Sequence, residues 1–145
     1  MKDNTRVERR AFLSSSSRFI LSGTAIALLA GNEAIAQAGA NPSQDVAILN
    51  VALGLEHEAI GAYELGAKSG LLQKPALGVA VQFQAHHKGH RDALIAAIRQ
   101  MGGTPVAEHP LAEYADALKA GTLKSQGDVL ALAARLELGA TNAYL

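Results

Sequence analysis

Two glutamates on apolar helical stripes are the residues of this chain best suited to chemistry. Glu56 has apolar residues three, four and seven positions away, so on a helix its carboxylate is expected to point into a core. Glu137 has the same frame, because Leu136-Glu137 and the neighbouring aliphatic residues repeat the phrase around Leu55-Glu56. A buried carboxylate needs a metal ion, a cationic partner or a raised pKa. The repeat therefore indicates an internal duplication in which two helices each place one glutamate in the core.

A histidine cluster interrupts the apolar stripe of another helical segment, at His86-His87-Lys88-Gly89-His90. His87 and His90 are three residues apart and His86 and His90 are four apart, so at least two imidazoles share a helix face. The adjacent His86 and His87 cannot both face inward. The sequence thus predicts either a metal site built from glutamate and histidine, or a purely structural network in which the glutamates bond tyrosine or histidine.

The composition favours a single all-α domain and excludes several kinds of chemistry. The 145 residues are 49% hydrophobic and only 4% aromatic, without tryptophan. Because the chain has no cysteine, disulfides, thiolate metal sites, iron–sulfur clusters and thiol catalysis are excluded. Residues 37–145 carry eight lysines and arginines against ten aspartates and glutamates, a net charge of minus two, so nucleic acid is not an expected partner.

Residues 1–38 are predicted to be an export signal instead of part of the fold. A twin-arginine pair, Arg9-Arg10, is followed by an apolar run over 19–30 and by small residues around Ala36. This order resembles a twin-arginine (Tat) signal peptide with a cleavage site. The resemblance implies export by the Tat machinery to the periplasm or the extracellular space. The apolar run is short of the ~20 residues of a normal span, so membrane attachment is expected only if the signal stays uncleaved.

The domain at 39–145 is expected to contain three long helices and a long crossover. The first helix is predicted over 44–65, where Gly54 and Gly61 indicate close approach of a neighbour. The second is predicted over 75–101, a short helix over 111–118, and a third long helix from 125 onward. Its start carries a capping box, in which Ser125 is followed three residues later by Asp128.

A fourth long helix is missing from the pattern. If the first two helices were duplicated as a unit, the counterpart of His87 would lie 31 residues beyond Glu137, whereas the chain ends eight residues after Glu137. Three long helices would leave an apolar face exposed. We therefore expect either that the sequence is a fragment or that a partner, such as a second copy in a homo-oligomer, supplies the fourth helix.

With these motifs, residues 44–145 resemble the ferritin-like superfamily, in particular small exported ferritin-like proteins of bacteria. The resemblance implies an antiparallel helical bundle with a long crossover. In such bundles two helices each give one glutamate to a core metal site, and two others each give a Glu-x-x-His pair. By resemblance, Glu56 and Glu137 are the single glutamates and His90 is the histidine of the second helix. His87 stands where the family has glutamate, which favours a single zinc, copper or iron ion as much as a di-iron centre.

These observations predict a ferritin-like metal-binding protein of the cell envelope that serves in iron handling or stress protection. The predicted ligands are Glu56, His87, His90 and Glu137, with iron as the first metal and zinc, copper and manganese as alternatives. Catalytic activity is left open.

Two other functions compete with this prediction. The first is a metal-free helical bundle that acts by self-association or protein–protein interaction. The second is a hydrolytic zinc enzyme built on the histidine cluster. His57 does not support it, because a His-Glu-x-x-His motif that begins at His57 would need a histidine at position 61, which is Gly61. His57 and His109 are expected on the surface, and Tyr63 in the core with a bonded hydroxyl.

Overall fold

The computed structural model describes residues 42–143, which are helical apart from their connections. Four α-helices follow one another: α1 (Pro42–Lys68), α2 (Lys74–Gln100), α3 (Leu111–Ala117) and α4 (Gln126–Ala143), with a 3₁₀ turn at Ala120–Thr122 before α4. No strand occurs within this range. Over the same residues, no helix has both the length and the apolar character that crossing a membrane requires. The predicted signal at 1–38 lies outside the described residues.

The two 27-residue helices α1 and α2 form an antiparallel hairpin that contains the main core. Residues of α1 meet residues of α2 in reverse order, since Gln84 Nε2 donates to the carbonyl of Ile60 and His87 contacts Glu56. The core between them is aliphatic and consists of Leu49, Leu53, Leu94, Ala97 and Ile98. These residues recur at the three- and four-residue spacing of one helix face. The predicted helices are thus present, with boundaries within three residues of those expected.

A long crossover from α2 to α4 lies along α1. Asn50 fixes it with two bonds, donating from Nδ2 to the carbonyl of Thr104 (3.0 Å) and accepting from the N–H of Val106 (2.8 Å). His57 Nε2 donates to the carbonyl of Val106 at 3.3 Å. The crossover therefore covers His57, which is only 4% exposed, and the prediction of a surface position for His57 is wrong.

The helix α3 packs on α1 through Tyr114. Of the two glycines predicted to allow close approach to α1, only one is in contact with this residue. A Cβ at Gly61 would lie 2.7 Å from Tyr114 Cδ2, whereas a Cβ at Gly54 would meet nothing within 4 Å. The expectation of close approach is therefore confirmed at Gly61 and wrong at Gly54. Tyr114 joins Ala62, Leu118 and Leu132 in a second buried cluster that links α1, α3 and α4.

The start of α4 has the predicted capping box. The backbone N–H of Asp128 donates to Ser125 Oγ (3.2 Å), and the N–H of Ser125 donates to Asp128 Oδ2 (2.9 Å). A further bond from the N–H of Lys124 is the largest cause of a lowered pKa for Asp128, followed by the bonds with Ser125. These bonds satisfy backbone groups that the first turn of a helix leaves free.

An apolar groove lies between α2 and α4, because α4 packs on α1 and not closely on α2. The groove has a volume of about 240 Å³. Val79 and Phe83 of α2 and Leu130 of α4 line it and are exposed. These side chains remain partly open because α2 and α4 do not pack closely on each other.

The contrast between the two glycines of α1 gives a stability prediction. Gly61→Ala should lower the free energy of unfolding by about 1–3 kcal/mol, because the added methyl group overpacks the Tyr114 ring. Gly54→Ala should raise it by up to about 1 kcal/mol through helix propensity alone. Urea unfolding of the two variants checks this, and equal shifts would contradict the packing described.

Candidate metal centre

The pairing of α1 with α2 places Glu56 beside the histidine cluster, and α4 adds Glu137. All four predicted ligands, Glu56, His87, His90 and Glu137, therefore lie in one cluster. Glu56 comes from the middle of α1 and the two histidines from the middle of α2, one turn apart. Residues 31 to 81 positions apart in the chain meet here because the hairpin and the crossover bring three helices together.

The imidazole of His87 lies between two carboxylates. Its Nδ1 is 2.7 Å from Glu56 Oε2 and its Nε2 is 3.1 Å from Glu137 Oε1. Ionised carboxylates only accept hydrogen bonds, so both bonds form when both ring nitrogens carry hydrogen. The pKa of His87 is accordingly raised, chiefly by its bond to Glu56; burial opposes the rise, and the bond to Glu137 adds to it. When both bonds form in this way, the metal-free arrangement is a cationic ring held by two carboxylates.

His90 approaches the other oxygen of Glu56. Its Nδ1 lies 3.5 Å from Glu56 Oε1, and its ring meets that of His87 edge-on with centroids 6.0 Å apart. One ligand atom each from Glu56, His87 and His90 can be chosen so that all lie within 4.8 Å of one another. Within residues 42–143, these three side chains form the group of histidine and carboxylate ligands that lies close enough together to hold one metal ion.

Tyr63 and Glu137 complete the far side of the His87 ring. The Tyr63 hydroxyl donates to Glu137 Oε1 at 2.7 Å, the same oxygen that accepts from His87. The Tyr63 ring stacks on the His87 ring with centroids 5.4 Å apart and planes at 28°. The pKa of Tyr63 is raised, first by burial and then by the bond to Glu137. Tyr63 is thus a packed residue with a bonded hydroxyl, as expected from the sequence.

The centre is closed on one side and open on the other. The side chains of Glu56 and His87 are each 12% exposed, while that of Glu137 is 38% exposed and that of His90 is 64% exposed. Glu56 therefore occupies the core position expected from its apolar frame. Glu137 is less enclosed than its matching frame predicts.

The remaining polar candidates lie outside the centre. His86 is exposed, so of the adjacent pair only His87 turns inward. His109 is exposed and pairs with Glu113 at 2.9 Å, in agreement with its predicted surface position. Tyr63 contacts the centre but was not among the residues predicted to form it. Its position seven residues after Glu56, on the same helix face, was the available signal.

The donor atoms fit a transition metal ion. Imidazole nitrogen suits zinc, copper and iron, and carboxylate oxygen suits manganese and iron as well. Metal–ligand bonds of about 2.0–2.2 Å place ligand atoms up to about 4 Å apart. The ligand atoms of Glu56, His87 and His90, which lie within 4.8 Å of one another, are close to that separation.

Residues 44–145 match the ferritin-like domain family, and the chain belongs to that family. The match covers the same residues for which the sequence indicated the ferritin-like superfamily, so the predicted superfamily and the all-α fold class are confirmed. No curated protein and no solved structure shows significant similarity to the chain.

The two-carboxylate contact of His87 predicts the pH dependence of the metal-free protein. Because the pKa of His87 is raised in the folded state, the folded chain binds this proton more tightly than the unfolded chain does. The resulting stability is fully present below the ordinary histidine pKa of 6.5 and is lost as pH rises through the folded-state pKa. Urea unfolding with chelator from about pH 5 to pH 9 measures it.

The matched variants are His87→Gln, which should remove this decrease in stability with rising pH, and His86→Gln, which should keep it because His86 is exposed. An unchanged pH dependence in His87→Gln would show that His87 is not held as described.

Proposed function

We propose that this chain is a metal-binding ferritin-like protein that holds one transition metal ion at Glu56, His87 and His90. The observation that carries the proposal is the convergence of three ligand atoms from α1 and α2 within 4.8 Å of one another. A bound ion of this kind supplies Lewis acidity and, where the metal is iron, copper or manganese, a redox centre.

The charges of the centre support a cation at this position. Two carboxylates, from Glu56 and Glu137, contact the His87 imidazole, and a proton on His87 Nδ1 lies between that nitrogen and Glu56 Oε2. Deprotonated Nδ1 and the Glu56 carboxylate offer adjacent lone pairs, so a divalent cation can take the place of this proton. His90 Nδ1, 3.5 Å from the other Glu56 oxygen, supplies a third donor.

In the proposed arrangement Glu137 orients His87. Its carboxylate accepts from His87 Nε2 while Tyr63 holds the same oxygen from the other side. A histidine that ligates a metal through one nitrogen commonly donates its other N–H to a carboxylate, which fixes the ring and raises its basicity. The sequence predicted a different role, in which the Glu137 carboxylate itself binds the ion. Metal binding by Glu137→Gln distinguishes the two roles.

Iron is the first proposed metal, with zinc, copper and manganese as alternatives. The ligand set of one carboxylate and two imidazoles is richer in nitrogen than the glutamate-dominated di-iron sites of the superfamily. It therefore favours a single ion. Within the described part of the chain, no second group of ligands lies beside the first.

We further propose that the protein is exported by the Tat route and serves iron handling or stress protection in the cell envelope. The support is the Arg9-Arg10 pair, the apolar run over 19–30 and the small residues that follow. The Tat route carries folded proteins, so it would suit a protein that takes up its metal before export.

A metal-free structural bundle is the second candidate, and one observation favours it. Glu56, His87, Glu137 and Tyr63 satisfy one another in a continuous set of hydrogen bonds without any ion. A bundle with this network and the exposed groove between α2 and α4 could act by association alone.

Metal binding by matched variants tests the proposal. Glu56→Gln and His90→Gln should each lose stoichiometric binding of Fe²⁺ and Zn²⁺, measured by calorimetry and elemental analysis. Glu137→Gln should keep binding but weaken it by roughly 10- to 100-fold, as expected for a residue that orients a ligand. Glu64→Gln, which removes only an exposed pair with Lys68, is the control.

Equal metal content in the wild type and Glu56→Gln would contradict the proposal and favour the metal-free bundle. In that case a chelator would also leave the melting temperature unchanged, whereas a bound ion raises it by mass action. Complete loss of binding in Glu137→Gln would assign Glu137 as a ligand.

A further inference from the structure

The groove between α2 and α4 is an apolar surface that lacks a partner among residues 42–143. None of the residues that line it carries a charge. Val79 and Phe83 of α2 and Leu130 of α4 lie in its wall and are exposed. Transfer of such side chains from water to an apolar environment is favourable. The occupant that fits this groove is therefore itself apolar.

The groove lies at a definite distance from the start of α1. Its α1 wall is formed by Ala62, Tyr63 and Gly66, whereas α1 begins at Pro42. At a rise of 1.5 Å per residue, Pro42 and Ala62 are about 30 Å apart along the helix axis. A segment that precedes Pro42 must cover this distance to reach the groove.

The sequence before α1 contains an apolar segment that meets this requirement. Residues 19–30 include no charged side chain, and residues 31–41 connect them to Pro42. These connecting residues span up to about 36 Å when extended, which exceeds the ~30 Å along α1. As a helix, residues 19–30 would be about 18 Å long, more than the ~10 Å of α2 between Ala76 and Phe83 in the groove wall.

The covalent connection favours this segment over a second copy of the chain. A flexible linker that can span the distance gives the attached segment an effective concentration of the order of 1 mM at its binding site. A second copy at micromolar concentration meets the same groove far less often. The chain's own apolar segment therefore occupies the groove first when both offer similar apolar side chains.

We propose that residues 19–30 occupy the groove between α2 and α4 for as long as they remain attached to the domain. Their aliphatic side chains pack against Val79, Phe83 and Leu130 and shield these residues from water and from other chains. This contact is independent of the proposed metal function, because it uses none of the proposed ligands.

The consequence for the exported protein rests on the proposed export signal. Cleavage near Ala36 would remove residues 19–30 and leave the groove open to a partner. The attached segment thus blocks association through the groove before export.

Disulfide cross-linking in the full chain tests the contact, because the chain has no cysteine of its own. Val79→Cys is combined in turn with a cysteine at each of residues 25–28, which together cover one helical turn. Val81→Cys is the matched control, since Val81 and Val79 are each 54% exposed but only Val79 lines the groove. With diamide as oxidant and chelator present, the fastest Val79 pair should form an intramolecular disulfide at least about tenfold faster than any Val81 pair.

A second series on α4 carries the test if the Val79 variants fail to fold. Leu130→Cys replaces Val79→Cys, and Leu138→Cys is its control. Both leucines are exposed, at 48% and 63%, but only Leu130 lines the groove. The fastest Leu130 pair should again be at least about tenfold faster than any Leu138 pair.

Non-reducing electrophoresis separates intramolecular disulfides from linked dimers. Equal rates in the groove and control pairs, or no intramolecular disulfide in either groove series, would overturn the proposal. Rapid formation of linked dimers by Val79→Cys alone would place a second copy in the groove and would overturn it as well. Because the chelator keeps the centre free of metal, none of these results depends on whether Glu56, His87 and His90 bind an ion.

Discussion

Two carboxylates that hydrogen-bond one imidazole connect the three long helices of this protein. His87 is mostly buried, and burial alone would lower its pKa, yet the bonds from its two nitrogens to Glu56 and Glu137 raise it. The same bonds make the buried position of Glu56 tolerable, since an isolated carboxylate there would be too costly. Each charge in the cluster is thus acceptable only because the others are present. A cation introduced beside His87 enters a site whose anions are already in position.

The same interaction links helices that otherwise share little contact. The α1–α2 hairpin has its own aliphatic core, whereas α4 packs on α1 through fewer residues and leaves the groove beside α2 open. Bonds from Tyr63 and His87 to Glu137 therefore attach α4 to the hairpin at the edge of that groove. Tyr63 and Phe83 line the groove, and the Tyr63 ring stacks on the His87 ring, so the groove and the centre share Tyr63 as a common wall.

Local sequence patterns were sufficient for the helices and for most of the centre. Apolar spacing identified Glu56 as inward-facing, and the spacing of Ser125 and Asp128 identified the start of α4, because both signals act within a few residues. The burial of His57 could not be predicted, since it depends on a crossover more than 40 residues away. The partial exposure of Glu137 depends on how α4 sits against its neighbours, which its repeat of the Glu56 frame does not encode.

Nitrogen-15 chemical shifts of the His87 side chain test the central claim most directly. In the metal-free protein at about pH 5.5, below the ordinary histidine pKa, both ring nitrogens should give the shifts of protonated imidazolium, because both donate to carboxylates. On addition of one equivalent of Zn²⁺, the Nδ1 signal should move to a metal-bound value. Nε2 should keep its hydrogen and its hydrogen bond to Glu137. A neutral His87 ring in the metal-free protein, or a ring whose signals do not respond to the metal, would contradict the account.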